Sequence, residues 1–159
     1  MYLKKLHNFL GNFTSIVLLL MILNVFIDVV LRYFFNTTFI GVQEIEWHLF
    51  SVVFLFGISY ALNEESHVRV DFLYDNRSTK IKAYINIFGT LFFLIPFALF
   101  ITYGSYHFVY DSFLYGEISE DPGGLAYRWL IKLMIPVAFV VLFISAIGYI
   151  QTNIKRVSQ

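Results

Sequence analysis

The chain contains no cysteine. Disulfides, thiolate-held zinc and iron–sulfur clusters are therefore excluded together, and the redox compartment cannot be read. Charge of either sign is scarce. Eleven basic residues balance eleven acidic ones, and charged residues are 14% of the sequence, against about 25% in soluble domains. No net positive field exists to attract nucleic acid. The nine glycines are scattered. None forms a GxxxG pair or a phosphate-cradling loop, and neither an HExxH zinc motif nor a Gly-x-Ser-x-Gly nucleophile turn occurs. No repeat or low-complexity segment is visible, and nothing assembles an enzyme active site.

Apolar surface is abundant. Hydrophobic residues make up 58% of the chain, aromatics 20%, and mean hydropathy is +0.71. The 159 residues suit one compact unit. A membrane span needs about 20 mostly apolar residues. Four segments qualify: about 13–33, 44–63, 83–110 and 129–154. The expectation is an all-α integral membrane protein, a single domain over 1–159 with four transmembrane helices. The third run carries no formal charge and exceeds a minimal span, which predicts tilt or a bend at Pro96. The first run follows Lys4 and Lys5 as a signal peptide would, but no small-residue cleavage site follows. It reads as a retained anchor.

Orientation follows from the lysines and arginines. Lys4, Lys5, Arg69, Arg77, Lys80, Lys82, Lys155 and Arg156 fall on one side. Arg32, Arg128 and Lys132 lie near helix ends on the other. The expected topology is N-in/C-in, with 111–127 outside. Trp47, Tyr103, Tyr106, Tyr110, Tyr115 and Trp129 would then form an outer aromatic belt. Asp121-Pro122-Gly123-Gly124 reads as a turn before the fourth span. The middle loop alternates apolar and polar residues from His67 to Phe72, the pattern of a short extended segment.

Polar groups inside a membrane are costly and face protein. Asn24, Asp28 and Arg32 recur every four residues on the first helix. Glu44, His48, Ser51, Ser59 and Asn63 form a broad stripe on the second, and Asn86, Thr90, Gly104 and His107 on the third. Asp28 and Arg32 should lie level with Glu44, Glu46 and His48. That predicts an outer charge cluster joining the first two spans, with Arg32 its one cation. The plain reading of Asp28–Arg32 is a structural pair; the alternative is transport or proton relay. Glu44 and Glu46 project about 200° apart, so they make a poor catalytic dyad. First-turn placement on the helix dipole is the simpler role. His48 and His107, if on antiparallel neighbours, could hold a haem between them, the mark of an electron-transfer anchor. Interfacial hydrogen bonding is the plainer reading. His67 reads as solvated or partner-facing, and His7, in an amphipathic lead-in, carries no signal.

The residues resemble a known family. Asp28-Val-Val-Leu-Arg32-Tyr33 closes the first span, and Glu44 with Glu46 opens the second. His67-Val68-Arg69-Val70-Asp71 follows the second span, and is the most specific piece. Glu117-Ile-Ser119, Asp121-Pro-Gly-Gly-Leu125, Arg128-Trp129-Leu-Ile-Lys132 and Ile135-Pro136 follow in order. In this series the chain resembles the small, DctQ-like membrane subunit of TRAP transporters. The family often has glycine two residues after the last-span proline; Ala138 stands there here. The resemblance implies a tripartite, ATP-independent, sodium-driven carrier of organic acids, carboxylates or sulfonates, in the inner membrane of a bacterium or archaeon. A periplasmic substrate-binding protein delivers the solute, and a large membrane subunit moves it. Sodium and substrate sites then lie in the large subunit, so no cofactor, metal or catalytic residue is assigned to this chain. Asp28, Arg32, Glu44, Glu46, His48, His67, Arg69 and Asp71 are the expected structural or partner-facing polar set. Glu117, Glu120 and Asp121 are the expected docking loop for the binding protein. Four plain spans without inverted repeats or paired helix breaks also lack what a carrier needs at the midplane.

Overall fold

In the computed structural model the described residues, 2–64 and 78–158, are helical apart from short connections such as 35–39 and 115–128. Helix α1 spans Tyr2–Phe34 and α2 spans Ile40–Asn63. The third rod joins α3, Thr79–Gly89, to α4, Ile95–Leu114, through a π-helical turn at Thr90–Leu94. Helix α5 spans Trp129–Val157. Four rods are thus long and apolar enough to cross a membrane. His67, Arg69 and Asp71 lie outside the described residues.

The helix limits follow local chemistry. α1 starts well before its apolar run, because the lead-in from Tyr2 carries apolar residues at helical spacing. Beyond its end at Phe34 the chain turns at Asn36, whose φ of +50° is a left-handed conformation that asparagine tolerates. The Thr37 N–H closes the turn on the Leu31 carbonyl at 3.1 Å. α2 begins at Ile40, so Glu44 and Glu46 are not first-turn residues. The expectation that they cap the helix by its dipole is corrected. Ser78 caps α3 by accepting from the Ile81 N–H.

Pro96 explains the π-helical turn. Proline offers no N–H, and its ring clashes with the carbonyl four residues back. The widened turn absorbs the conflict: the Ile95 N–H donates to the Thr90 carbonyl, five residues behind. One extra residue in the turn moves the buried stripe on by one position. Asn86 and Thr90 are buried before it; Ala98, Ser105 and Ser112 are buried after it. Gly104 and His107 therefore face outward. The single stripe expected from Asn86 to His107 assumed unbroken α-helical spacing, and the π-helical turn breaks it.

α5 is the hub. It packs on α2 at one side and on the third rod at the other, while α1 packs chiefly on α2. Leu62, Ala98, Phe139, Leu142, Ala146 and Tyr149 form one buried cluster. Leu10, Phe56 and Ala138 form a second. Ala138 is 1% exposed, so alanine permits the close helix contact at the position where the family often has glycine. α2 and α5 both start at the end of the bundle holding turn 35–39 and loop 115–128. They run parallel; this end is called the loop end, and the other the terminal end.

Candidate functional site

The side-chain contacts between helices, and between helix and loop, that involve asparagine or a charged group lie toward the two ends of the bundle. At the terminal end, the Asn86 amide donates to the Asn153 side-chain oxygen Oδ1 at 3.1 Å, buried between α3 and α5. Asn153 in turn donates to the Tyr149 carbonyl at 2.9 Å. His7 Nε2 lies 2.7 Å from Glu64, and its ring stacks on Tyr60 with centroids 4.7 Å apart. Gly11 makes room there, since an added Cβ would stand 2.7 Å from the Tyr60 ring. Neither His7 nor Asn153 stood out in the sequence. The signal for Asn153 was its spacing: with Phe139, Leu142, Ala146 and Tyr149 it completes one buried helical stripe.

At the loop end the expected charge cluster is divided. Asp28 is 4% exposed and pairs with Arg32 of its own helix at 2.5 Å. Asn24 ties α1 to α2 by donating to the Val42 carbonyl at 2.9 Å. Glu44 turns away from Arg32 to the 115–128 loop. It accepts from the Ser119 hydroxyl and, at 2.5 Å, from the Leu125 N–H. Glu46 forms no ion pair among the described residues, and His48 is half-buried on α2.

Glycine lets the loop approach α2. A Cβ on Gly41 would stand 3.3 Å from the Gly123 carbonyl oxygen. One on Gly124 would collide with Ser119 and stand 2.9 Å from Glu44 Oε2. Gly123, at φ +85°, supplies the left-handed residue of the Asp121–Gly124 turn, which the Gly124 N–H closes on the Asp121 carbonyl. Ser119 N–H to Leu125 O, at 3.0 Å, and Arg128 N–H to Glu117 O, at 3.2 Å, zip the loop together.

The Glu117 carboxylate faces Lys132, with Arg128 at 3.8 Å. The Lys132 hydrogen bond holds the Glu117 carboxyl below the usual carboxylate range. Lys132 also lies over the Phe108 ring, 4.0 Å from its centroid. Of the three expected docking carboxylates, Glu117 is thus engaged within the chain. Glu120 and Asp121 are exposed and make no ion pair among the described residues.

No cofactor geometry emerges from the histidines. α5 lies between α2, which carries His48, and α4, which carries His107, so the two are not on adjoining neighbours as the haem reading required. His107 faces outward. Among the described residues no three His, Asp or Glu gather as metal ligands. A groove of about 280 Å³ between α2 and α5 is lined mainly by Phe50, Phe54, Leu55, Ile131 and Ile135. Its lining also holds Ser51, whose hydroxyl donates to the Trp47 carbonyl, and Lys132, which is bound to Glu117, so its contacts are chiefly apolar.

Two comparisons bear on this arrangement. The chain is 29% identical over 143 residues, 89% of its length, to the sialic acid TRAP transporter permease protein SiaT of Haemophilus influenzae (strain 86-028NP). It covers 22% of that longer relative. Residues 21–156 match the family model described as tripartite ATP-independent periplasmic transporters, DctQ component. With four helices long and apolar enough to span a membrane and a match over most of its length, the chain belongs to the DctQ component family of TRAP transporters.

Proposed function

We propose that this chain is the small scaffold subunit of a tripartite, ATP-independent, sodium-driven transporter. The system imports an organic acid, a carboxylate or a sulfonate. The chain braces the large membrane subunit and binds no solute itself. The relative it matches is named for sialic acid, which is a carboxylic acid. In this reading residues 1–159 act as one unit in the cytoplasmic membrane of a bacterium or archaeon, N-in/C-in, with the 115–128 loop outside. The positive-inside bias supports that orientation.

One observation carries the scaffold role. Asp28 pairs with Arg32, Asn24 with Val42, Asn86 with Asn153, and Glu44 with the loop, while Ser59 Oγ, Ser145 Oγ and the second Asp28 oxygen are buried without a partner among the described residues. A translocation path instead needs polar groups lining a route at the midplane. Asp28, Arg32, Glu44, Glu46 and His48 are proposed as structural or partner-facing groups, with His67, Arg69 and Asp71 of the middle loop. The loop carrying Glu117, Glu120 and Asp121 is proposed to meet the periplasmic binding protein.

Deletion tests the role. Removing the chain from the intact system should abolish uptake, and the purified chain should bind no substrate. Uptake that survives deletion undiminished, or sodium-driven uptake by the chain alone in liposomes, would overturn it.

A further inference from the structure

The loop at 115–128 carries carboxylates of two kinds. Glu120 and Asp121 face solvent, beside exposed Ile118 at 64% and Tyr127 at 68%. Glu44 and Glu117 point inward and bind the loop itself. Glu117 ties its start to Lys132, and Glu44 reaches from α2 to bind its middle at Ser119 and Leu125. The two contacts attach the loop to two different helices. Its shape is thus fixed from outside the loop as well as by its own backbone bonds.

The Glu44 contact is specific in form. One carboxylate oxygen accepts a hydroxyl and the other a backbone N–H, so both are occupied. Gly41 and Gly124 are the positions where a side chain would obstruct the approach. The left-handed backbone at Tyr127, φ +61°, costs energy for a residue with a Cβ, and persists where surrounding contacts hold it. Leu125, two residues away, is the one Glu44 holds.

Resting on the docking role proposed above, we infer that Glu44 is a positioning residue. It latches the loop in the shape that presents Ile118, Glu120, Asp121 and Tyr127 to the soluble binding protein. The matching patch on that partner is apolar at its centre and basic at its rim, complementary to the two free carboxylates. Glu44 and Glu117 do not touch the partner. A preformed loop loses less conformational freedom on docking, which is how a residue remote from the contact raises affinity.

The test uses the complete transporter in nanodiscs, with its own binding protein as the probe. The chain has no native cysteine, so Ala126→Cys gives it a single spin-label position in a complex otherwise stripped of cysteines. Two quantities are read: label mobility without partner, and the half-saturating concentration of binding protein. Glu44→Gln and Gly124→Ala should each free the label and raise half-saturation about five- to ten-fold, the loss of roughly one hydrogen bond. Glu120→Lys with Asp121→Lys should raise half-saturation while the label stays restricted. If the latch variants change neither quantity while the lysine pair raises half-saturation, the latch is refuted and docking stands. If the lysine pair also changes nothing, the docking reading itself falls. Should Glu44→Gln fail to assemble, Ser119→Ala, which removes a single hydroxyl, decides by the same two readouts.

Discussion

Replacing Asn86 and Asn153 by alanine, singly and together, tests how the hub helix is held at the terminal end. Asn153 is 0% exposed and Asn86 8%, and the bond between them is 3.1 Å long. Hydrogen bonds between membrane helices couple by about 0.6 kcal/mol on average and by at most about 1.7. Burial of both partners removes competing water, so a coupling of about 1–1.7 kcal/mol is expected. The singles should cost more than the coupling. Asn153→Ala also removes the bond to the Tyr149 carbonyl and leaves a void, for about 2–3 kcal/mol in total. Reversible unfolding of all four forms in bicelles, followed by steric trapping, gives the cycle directly. Strictly additive singles, with coupling within about 0.3 kcal/mol of zero, would refute the claim that this pair joins α3 to α5.

Other expectations follow from single contacts. Gly11→Val should displace the Tyr60 ring from His7 and cost about 1–3 kcal/mol by overpacking, measured by the same unfolding assay; an unchanged stability would sink that account of the α1–α2 contact. Glu117 has a depressed folded-state pKa because Lys132 binds its charged form. Its contribution is therefore complete above the ordinary carboxylate range and fades as pH falls through the lowered folded value. A label at Ala126→Cys should loosen in that acidic window, and Glu117→Gln should loosen it already at neutral pH. Topology is checked by impermeant thiol reagents on intact cells. Asn76→Cys should be shielded and Glu120→Cys should react; the reverse pattern would invert the orientation.

Much of the fold was legible because lipid imposes one simple demand, a long apolar run, and each of the four runs became a rod. The Asp28–Arg32 pair was legible too, because four-residue spacing on one helix fixes two side chains side by side. Glu44 stood out as an ionisable group near a span, yet its partners did not. Ser119 and Leu125 lie 75 and 81 positions away, and one donor is a backbone N–H that any residue could supply. The sequence likewise held no cue that the second and fourth spans adjoin, although its topology made them parallel. Without that adjacency, His48 and His107 looked like neighbours and Glu44 looked like a partner for Arg32. The π-helical turn was half legible. Pro96 announced a disturbance, but whether a bend or an extra residue would absorb it depends on packing against α5.

That extra residue has a lasting effect on the third rod. An unbroken helix commits its whole length to one azimuth, so a rod spanning Thr79–Leu114 would have to meet the same side of its neighbour from end to end. The single surplus position between Thr90 and Leu94 works as a phase adjuster. The half below it aims Asn86 at Asn153, and the half above independently seats Ala98, Ser105 and Ser112. Either half can therefore drift in sequence without forcing the other to rotate. His107 and Tyr103 are left on the outward side, open to whatever surrounds the protein.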